Sequence, residues 1–329
     1  MLNIILSALL PMVVTFLLGI VAVWRKAFAS KDASILNRMV LLYAVPLALF
    51  AGTVTTSRAE LSQDMPLVIA LCVAICGLYA AVFLFFRFAL RLGMSTSALA
   101  ALVSSAPAVP FLGPGVLGGL FGPPSAIPIA VASLVINLTA VPVTILLLSM
   151  DSTEGDSRRE SLLTEGGEKS ETLPASRLRM LASKLTETAK EPIVWAPVLA
   201  FVIVLSGLRI PRLIVHSLLM LGQASGGVAM FASGIVLAST KIKINRRVLF
   251  FVFVKNVVEP ALVLGGLWFL GYRNPIVSEA VLTTAIPAMP IVIMLALRYR
   301  LPEAEAASAV FLSVIGSVIT MGFFIAVTL

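Results

Sequence analysis

Apolar residues fall in ten blocks along the chain, at 2–24, 36–54, 66–88, 97–119, 124–149, 192–208, 215–239, 247–270, 277–297 and 305–328. A helix needs about 20 mostly apolar residues to cross the hydrocarbon layer of a bilayer. The blocks reach or approach that length. Lipid offers bare backbone groups no partner, so each block predicts a helix. Only one long polar stretch interrupts the pattern, Asp151 to Lys190, between the fifth and sixth blocks. Its last part, from Arg177, places Leu178, Leu181 and Leu185 at helical spacing among basic residues, which predicts a short helix lying on a membrane surface.

Composition supports the same class. The 329 residues are 59% hydrophobic and 12% charged, and the mean hydropathy is +1.06. That is too little charge to cover a soluble surface. The chain is expected to be an all-α polytopic membrane protein, an inner-membrane one, with little room for a soluble domain. The N-terminus lacks a basic leader region and stays apolar from Leu2 to Trp24, longer than the apolar core of a signal peptide, so it reads as the first span.

Net charge is +8, but the charges sit in the loops, where they set orientation and meet anionic lipid headgroups rather than nucleic acid. Loops after the odd-numbered spans hold 19 Lys and Arg, against 4 in the alternate loops. This predicts a cytoplasmic linker and both termini outside. Cys72 and Cys76 share one span and read as small apolar residues. His216 falls near an outer loop and suggests no chemistry.

An internal repeat is visible. Pro107-Ala108-Val109-Pro110 in the fourth span recurs 180 residues later as Pro287-Ala288-Met289-Pro290 in the ninth. Ala48 to Gly52 in the second span recurs 181 residues later as Ala229 to Ser233 in the seventh. The expected units are a five-helix repeat at 1–150, a polar linker at 151–191 and a second repeat at 192–329. A unit with an odd number of spans returns upside down, so ten transmembrane helices in two inverted five-helix repeats are predicted.

The repeated prolines mark the candidate site. An interior proline removes a hydrogen bond and clashes with the preceding turn, at about 3 kcal/mol or more. Two prolines three apart predict an unwound segment in spans four and nine. Such backbone is tolerated at membrane depth only in protein or beside a polar cavity. Ser104, Ser105, Pro107, Ala108 and Pro110 in one half, with Thr283, Thr284, Pro287, Ala288 and Pro290 in the other, are the candidate substrate-binding residues. Free N–H groups and helix dipoles at the breaks favour an anionic or strongly polar ligand. Dipoles of about 0.3–1 kcal/mol do not offset carboxylate desolvation alone; hydrogen bonds to a charged group add about 1.5–3 kcal/mol each.

The eighth span carries Lys255, Asn256 and Glu259. Lys255 and Glu259 are four apart and can pair on one helix face. Two readings stay open: a structural ion pair, or Lys255 attracting an anion with Glu259 carrying a coupling proton. Asn137, Gln223 and Ser225 also lie in spans, as glue between helices or as ligand contacts. Motifs for zinc peptidase, nucleotide-binding, prenyl-diphosphate or intramembrane-protease chemistry are absent from the sequence, so no enzyme activity, cofactor or metal site is expected.

These features resemble the auxin efflux carrier family, within it the bacterial malonate-transporter-like members. The likeness rests on Phe111-Leu112-Gly113-Pro114 after Pro107, Val45-Pro46, Lys255 to Pro260 and Pro287 to Pro290. It implies broken crossover helices four and nine meeting at the substrate site; Asn256 in the eighth span is a further candidate substrate-binding residue. A scaffold would come from spans 1, 2, 6 and 7, and a transport domain from spans 3–5 and 8–10. The cycle implied is an elevator-type one, in a homodimer, carrying a malonate-like organic anion, with proton or sodium coupling left open. Many members have Asn after the first crossover proline; here Ala108 stands there, so substrate identity does not carry over. A neutral or cationic solute, or a sensor or structural subunit without a transport cycle, remain alternatives.

Overall fold

The computed structural model describes residues 2–55, 65–150, 190, 192–208, 210–240 and 242–329. The linker up to 189, with its expected surface helix, lies outside the described residues, as do Arg58, Arg209 and Lys241 of the loop count.

The described chain is helical, in twelve pieces. These are α1 (Leu2–Trp24), α2 (Lys31–Val54), α3 (Met65–Ala89), α4 (Met94–Ser105), α5 (Val109–Phe121) and α6 (Ala126–Met150). After the linker come α7 (Pro192–Ser206), α8 (Arg212–Ser239), α9 (Arg246–Phe269), α10 (Ile276–Thr284), α11 (Ile291–Arg298) and α12 (Glu303–Thr328). Six of them, α2, α3, α6, α8, α9 and α12, are long and apolar enough to cross a bilayer unaided. Their outward residues are large and apolar: Phe269 is 91% exposed and Ile319 77%. Such a surface suits lipid and not water. The protein is therefore a polytopic membrane protein. Of the other expected spans, α1 has 23 residues with Pro11 inside, α7 has 15, and the fourth and ninth are each split in two.

Three long helices accommodate an interior proline in the same way. Each has a π turn, at Val40–Ala44, Ile136–Ala140 and Val254–Val258. The N–H groups of Val45, Val141 and Glu259 donate back to the carbonyls of Val40, Ile136 and Val254. The next residue is Pro46, Pro142 or Pro260 in turn. A π turn adds a residue to one turn of helix, moving the ring off the carbonyl it would strike in a regular helix.

Helix α1 packs on the second half of α8, and α7 and the first half of α8 pack on the end of α2. At the first of these crossings Gly19 and Gly234 face each other. A Cβ on Gly19 would strike the Phe231 carbonyl oxygen, and one on Gly234 that of Phe16. Small residues at helix crossings let backbones approach this closely in membranes. Elsewhere α3 packs on α4 and α6, α9 on α10 and α12, and α11 on α12.

Candidate functional site

The two proline pairs break their spans, between Ser105 and Val109 and between Thr284 and Ile291. The broken segments run antiparallel, with Pro107 opposite Ala288. Ala108 N–H donates to Pro287 O at 2.8 Å, and Met289 N–H to Ala106 O at 3.2 Å. A third amide, Ala288 N–H, donates to Ser313 Oγ at 3.0 Å. The expectation from sequence was amides free for a ligand. These three instead have protein partners, because each broken segment supplies a carbonyl to the other and α12 supplies the Ser313 hydroxyl.

Helix α9 holds both sides of the second break. Its π turn brings Lys255 and the adjacent Asn256 inward together, and both are buried. Lys255 Nζ donates to Glu259 Oε2, and at 2.7 Å to Thr284 O, the last residue of α10. A cation at a helix C-terminus is favourably placed against the dipole. Asn256 Nδ2 donates to Ser313 O at 2.8 Å, and Ser313 Oγ donates to Asn256 Oδ1 at 2.6 Å. Ser313 thus links Asn256 to the Ala288 amide.

Three of the four candidate hydroxyls turn back on their own helices. Ser105 donates to Ala101 O at 2.8 Å, Thr283 to Glu279 O, and Thr284 to Ala280 O and Val281 O at 3.1 and 3.0 Å. Ser104 Oγ is buried with no partner.

A cavity of about 730 Å3 reaches the first break at Pro110. Its walls come from α1, α2 and α8 on one side and α5 and α6 on the other. Of the candidate residues at the two breaks and in the eighth span, Pro110 alone lines it among the described residues. Leu49, Phe111, Ile129 and Met230 make much of the wall apolar. The polar part includes Ser133, Asn137, Gln223 and Ser225, and none of the described lining residues carries a charge. Asn137 Oδ1 and Ser225 Oγ are buried and have no hydrogen-bond partner. Buried polar atoms are nearly always paired, so two orphans on one cavity wall point to a ligand or water that completes them.

Residues 4–325 match the family model described as "Membrane transport protein". The chain belongs to the auxin efflux carrier family. It is similar to the "Uncharacterized transporter YfdV" of Escherichia coli strain K12, at 30% identity over 332 residues, covering all of this chain and 99% of that one. The same identity and coverage hold for the proteins of that name in Escherichia coli O157:H7 and Shigella flexneri. As a member of the auxin efflux carrier family, the chain is a membrane transporter. Asn137 and Ser225, whose unpartnered polar atoms belong to residues of this cavity, read from sequence either as contacts between helices or as ligand contacts. Both were visible as polar residues inside apolar spans. What separates them from ordinary interhelical contacts is the lack of a partner, which only the packing reveals.

Proposed function

We propose that this carrier moves a small organic anion, a malonate-like carboxylate first, through the cavity that ends at Pro110. The observation that carries the reading is a pair of buried, unpartnered polar atoms on residues lining that cavity. Ser225 Oγ can donate to a carboxylate, and Asn137 Oδ1, which only accepts, suits the acid proton of a half-neutralised dicarboxylate. A bound carboxylate could accept from Ser225, Ser133 and the Gln223 amide. Three bonds at about 1.5–3 kcal/mol each match a desolvation penalty of several kcal/mol. The N-terminal end of α5, where Pro110 sits, adds its dipole. A wall without cations favours a singly charged species, so a dicarboxylate would enter carrying one proton. The absence of carboxylates from the described wall argues against a cationic solute. The absence of any charge there favours a neutral polar solute as the second reading.

In this proposal the ten spans form two inverted repeats, with crossover helices at the breaks. Packing supports a scaffold from α1, α2, α7 and α8, against a moving domain of the remaining helices. The cavity between α1, α2, α8 and α5, α6 then lies on the boundary where elevator-type sliding would occur. With both termini outside, the cavity opens outward, since it is lined by Thr55 at the end of α2 and Ala126 at the start of α6. A homodimer in the inner membrane completes the proposal. Uptake of labelled malonate, other dicarboxylates and aromatic or aliphatic monocarboxylates into proteoliposomes tests it, with neutral and cationic competitors. Competition by carboxylates alone is expected; displacement only by neutral solutes would replace the anion reading with the second one.

A further inference from the structure

A second cavity, of about 420 Å3, lies between α3 and α9. Ile69 and Val73 of α3 and Leu262 of α9 line it and are exposed on the lipid-facing surface. Glu259 is the one charged side chain among its described lining residues. One of its oxygens, Oε2, holds Lys255. The other, Oε1, is buried without a partner. An oxygen of a buried carboxylate left unmet is costly to the fold. The wall's other ionisable group is the Tyr272 hydroxyl. A metal ion requires several oxygen ligands, whereas a proton requires one.

We propose that Glu259, which lines the groove between α3 and α9, is the proton-binding residue of this carrier, and that its protonation leaves Lys255 as an uncompensated cation that balances the transported anion. With Glu259 ionised, the pair is neutral. With Glu259 protonated, the positive charge stays on Lys255, bonded to Thr284 O at the edge of the second break. That break is hydrogen-bonded to the first, where the large cavity ends. Proton and anion then favour one another's binding, and the coupling is reciprocal.

The surrounding titratable groups are few. Cys76 lies on the part of α3 that meets α9, and Glu279 on α10. On α12 the carboxylates Glu303 and Glu305 lie in the first turn, where Glu305 accepts from Asn245 Nδ2 at 2.7 Å. The anion half of the proposal rests on the substrate reading above; the proton site does not.

Dicyclohexylcarbodiimide, an apolar reagent, tests the site in the unaltered protein in vesicles. The acid proton adds to one carbodiimide nitrogen and the carboxyl oxygen to its central carbon. An acyl shift to nitrogen then gives a stable adduct with no leaving group. The expected result is an adduct on the Glu259 peptide, found by mass spectrometry, that grows as pH falls. No adduct on Glu259 at any pH overturns the proposal. For coupling, accumulation of the carboxylate driven by an inward proton gradient is compared with its counterflow exchange. Glu259→Gln should lower the ratio of accumulation to exchange by about fivefold or more. A ratio equal to that of the unaltered protein overturns the coupling. A protein that labels at Glu259 yet moves no carboxylate loses the substrate reading and the coupling, and keeps the proton site.

Discussion

Ser313→Ala isolates the support of the second break. The Ser313 hydroxyl accepts from Ala288 N–H at 3.0 Å and donates to Asn256 Oδ1 at 2.6 Å. The substitution removes both bonds, while Asn256 Nδ2 keeps its bond to the Ser313 carbonyl. The two losses differ in size. Hydrogen bonds between membrane helices average about 0.6 kcal/mol, because their side chains find other partners. Asn256 is such a side chain. The Ala288 amide is not, since its backbone is held opposite Pro107 and the residue is fully buried. An orphaned buried donor costs about 1–3 kcal/mol. The sum is about 2–4 kcal/mol. Thermal unfolding in detergent should show a midpoint lower by several degrees, with a slower initial uptake rate. Ser317→Ala is the control: Ser317 is equally buried on the same helix, and its hydroxyl donates to Val314 O at 2.7 Å. If both variants melt alike and transport alike, Ser313 does not hold the break.

Other substitutions probe separate parts of the structure. Gly19→Val should prevent the close approach of α1 and α8 and sharply reduce folded protein on size-exclusion chromatography. Gly265→Ala, where an added Cβ meets nothing within 4 Å, should be neutral or stabilising by a few tenths of a kcal/mol, given about 1 kcal/mol of helix propensity between the two residues. Asn137→Leu and Ser225→Ala remove groups that have no protein partner, so melting should change little. Each should weaken carboxylate uptake about tenfold, as loss of a bond worth about 1.5 kcal/mol requires; unaltered half-saturation would remove them from the site. Lys255→Met leaves a buried carboxylate unpaired, at about 3–5 kcal/mol. Adding Glu259→Gln should restore most of the melting temperature, and a double variant as unstable as the single one would deny that the pair matters to folding.

The helical membrane class was legible because the apolar length that crosses a bilayer is a property of composition and spacing. The prolines were equally plain, and Pro107, Pro110, Pro287 and Pro290 do interrupt their helices. Lys255 and Glu259, four apart on one helix, announce their own pairing. The destinations of groups that leave their own helix were not legible. Nothing near Lys255 in sequence points to the Thr284 carbonyl, and nothing near Ala288 points to Ser313. The amides of the breaks looked available because a sequence shows which bonds a proline removes and not which neighbour replaces them. The cavity is a packing remainder, formed where α5 and α6 fail to close on α2 and α8. Asn137 and Ser225 became distinct from Gln223 only through that geometry.

The bond between Ala108 and Pro287, with its companion from Met289 to Ala106, acts as a rivet through two otherwise separate chain segments. Prising them apart would strand two donors and two acceptors in the dry middle of the bundle, at about 1–3 kcal/mol for each orphan. Motion about either interruption alone is therefore expensive, and the four half-helices α4, α5, α10 and α11 travel together or stay put. The prolines that look like hinges along the chain work in three dimensions as a weld.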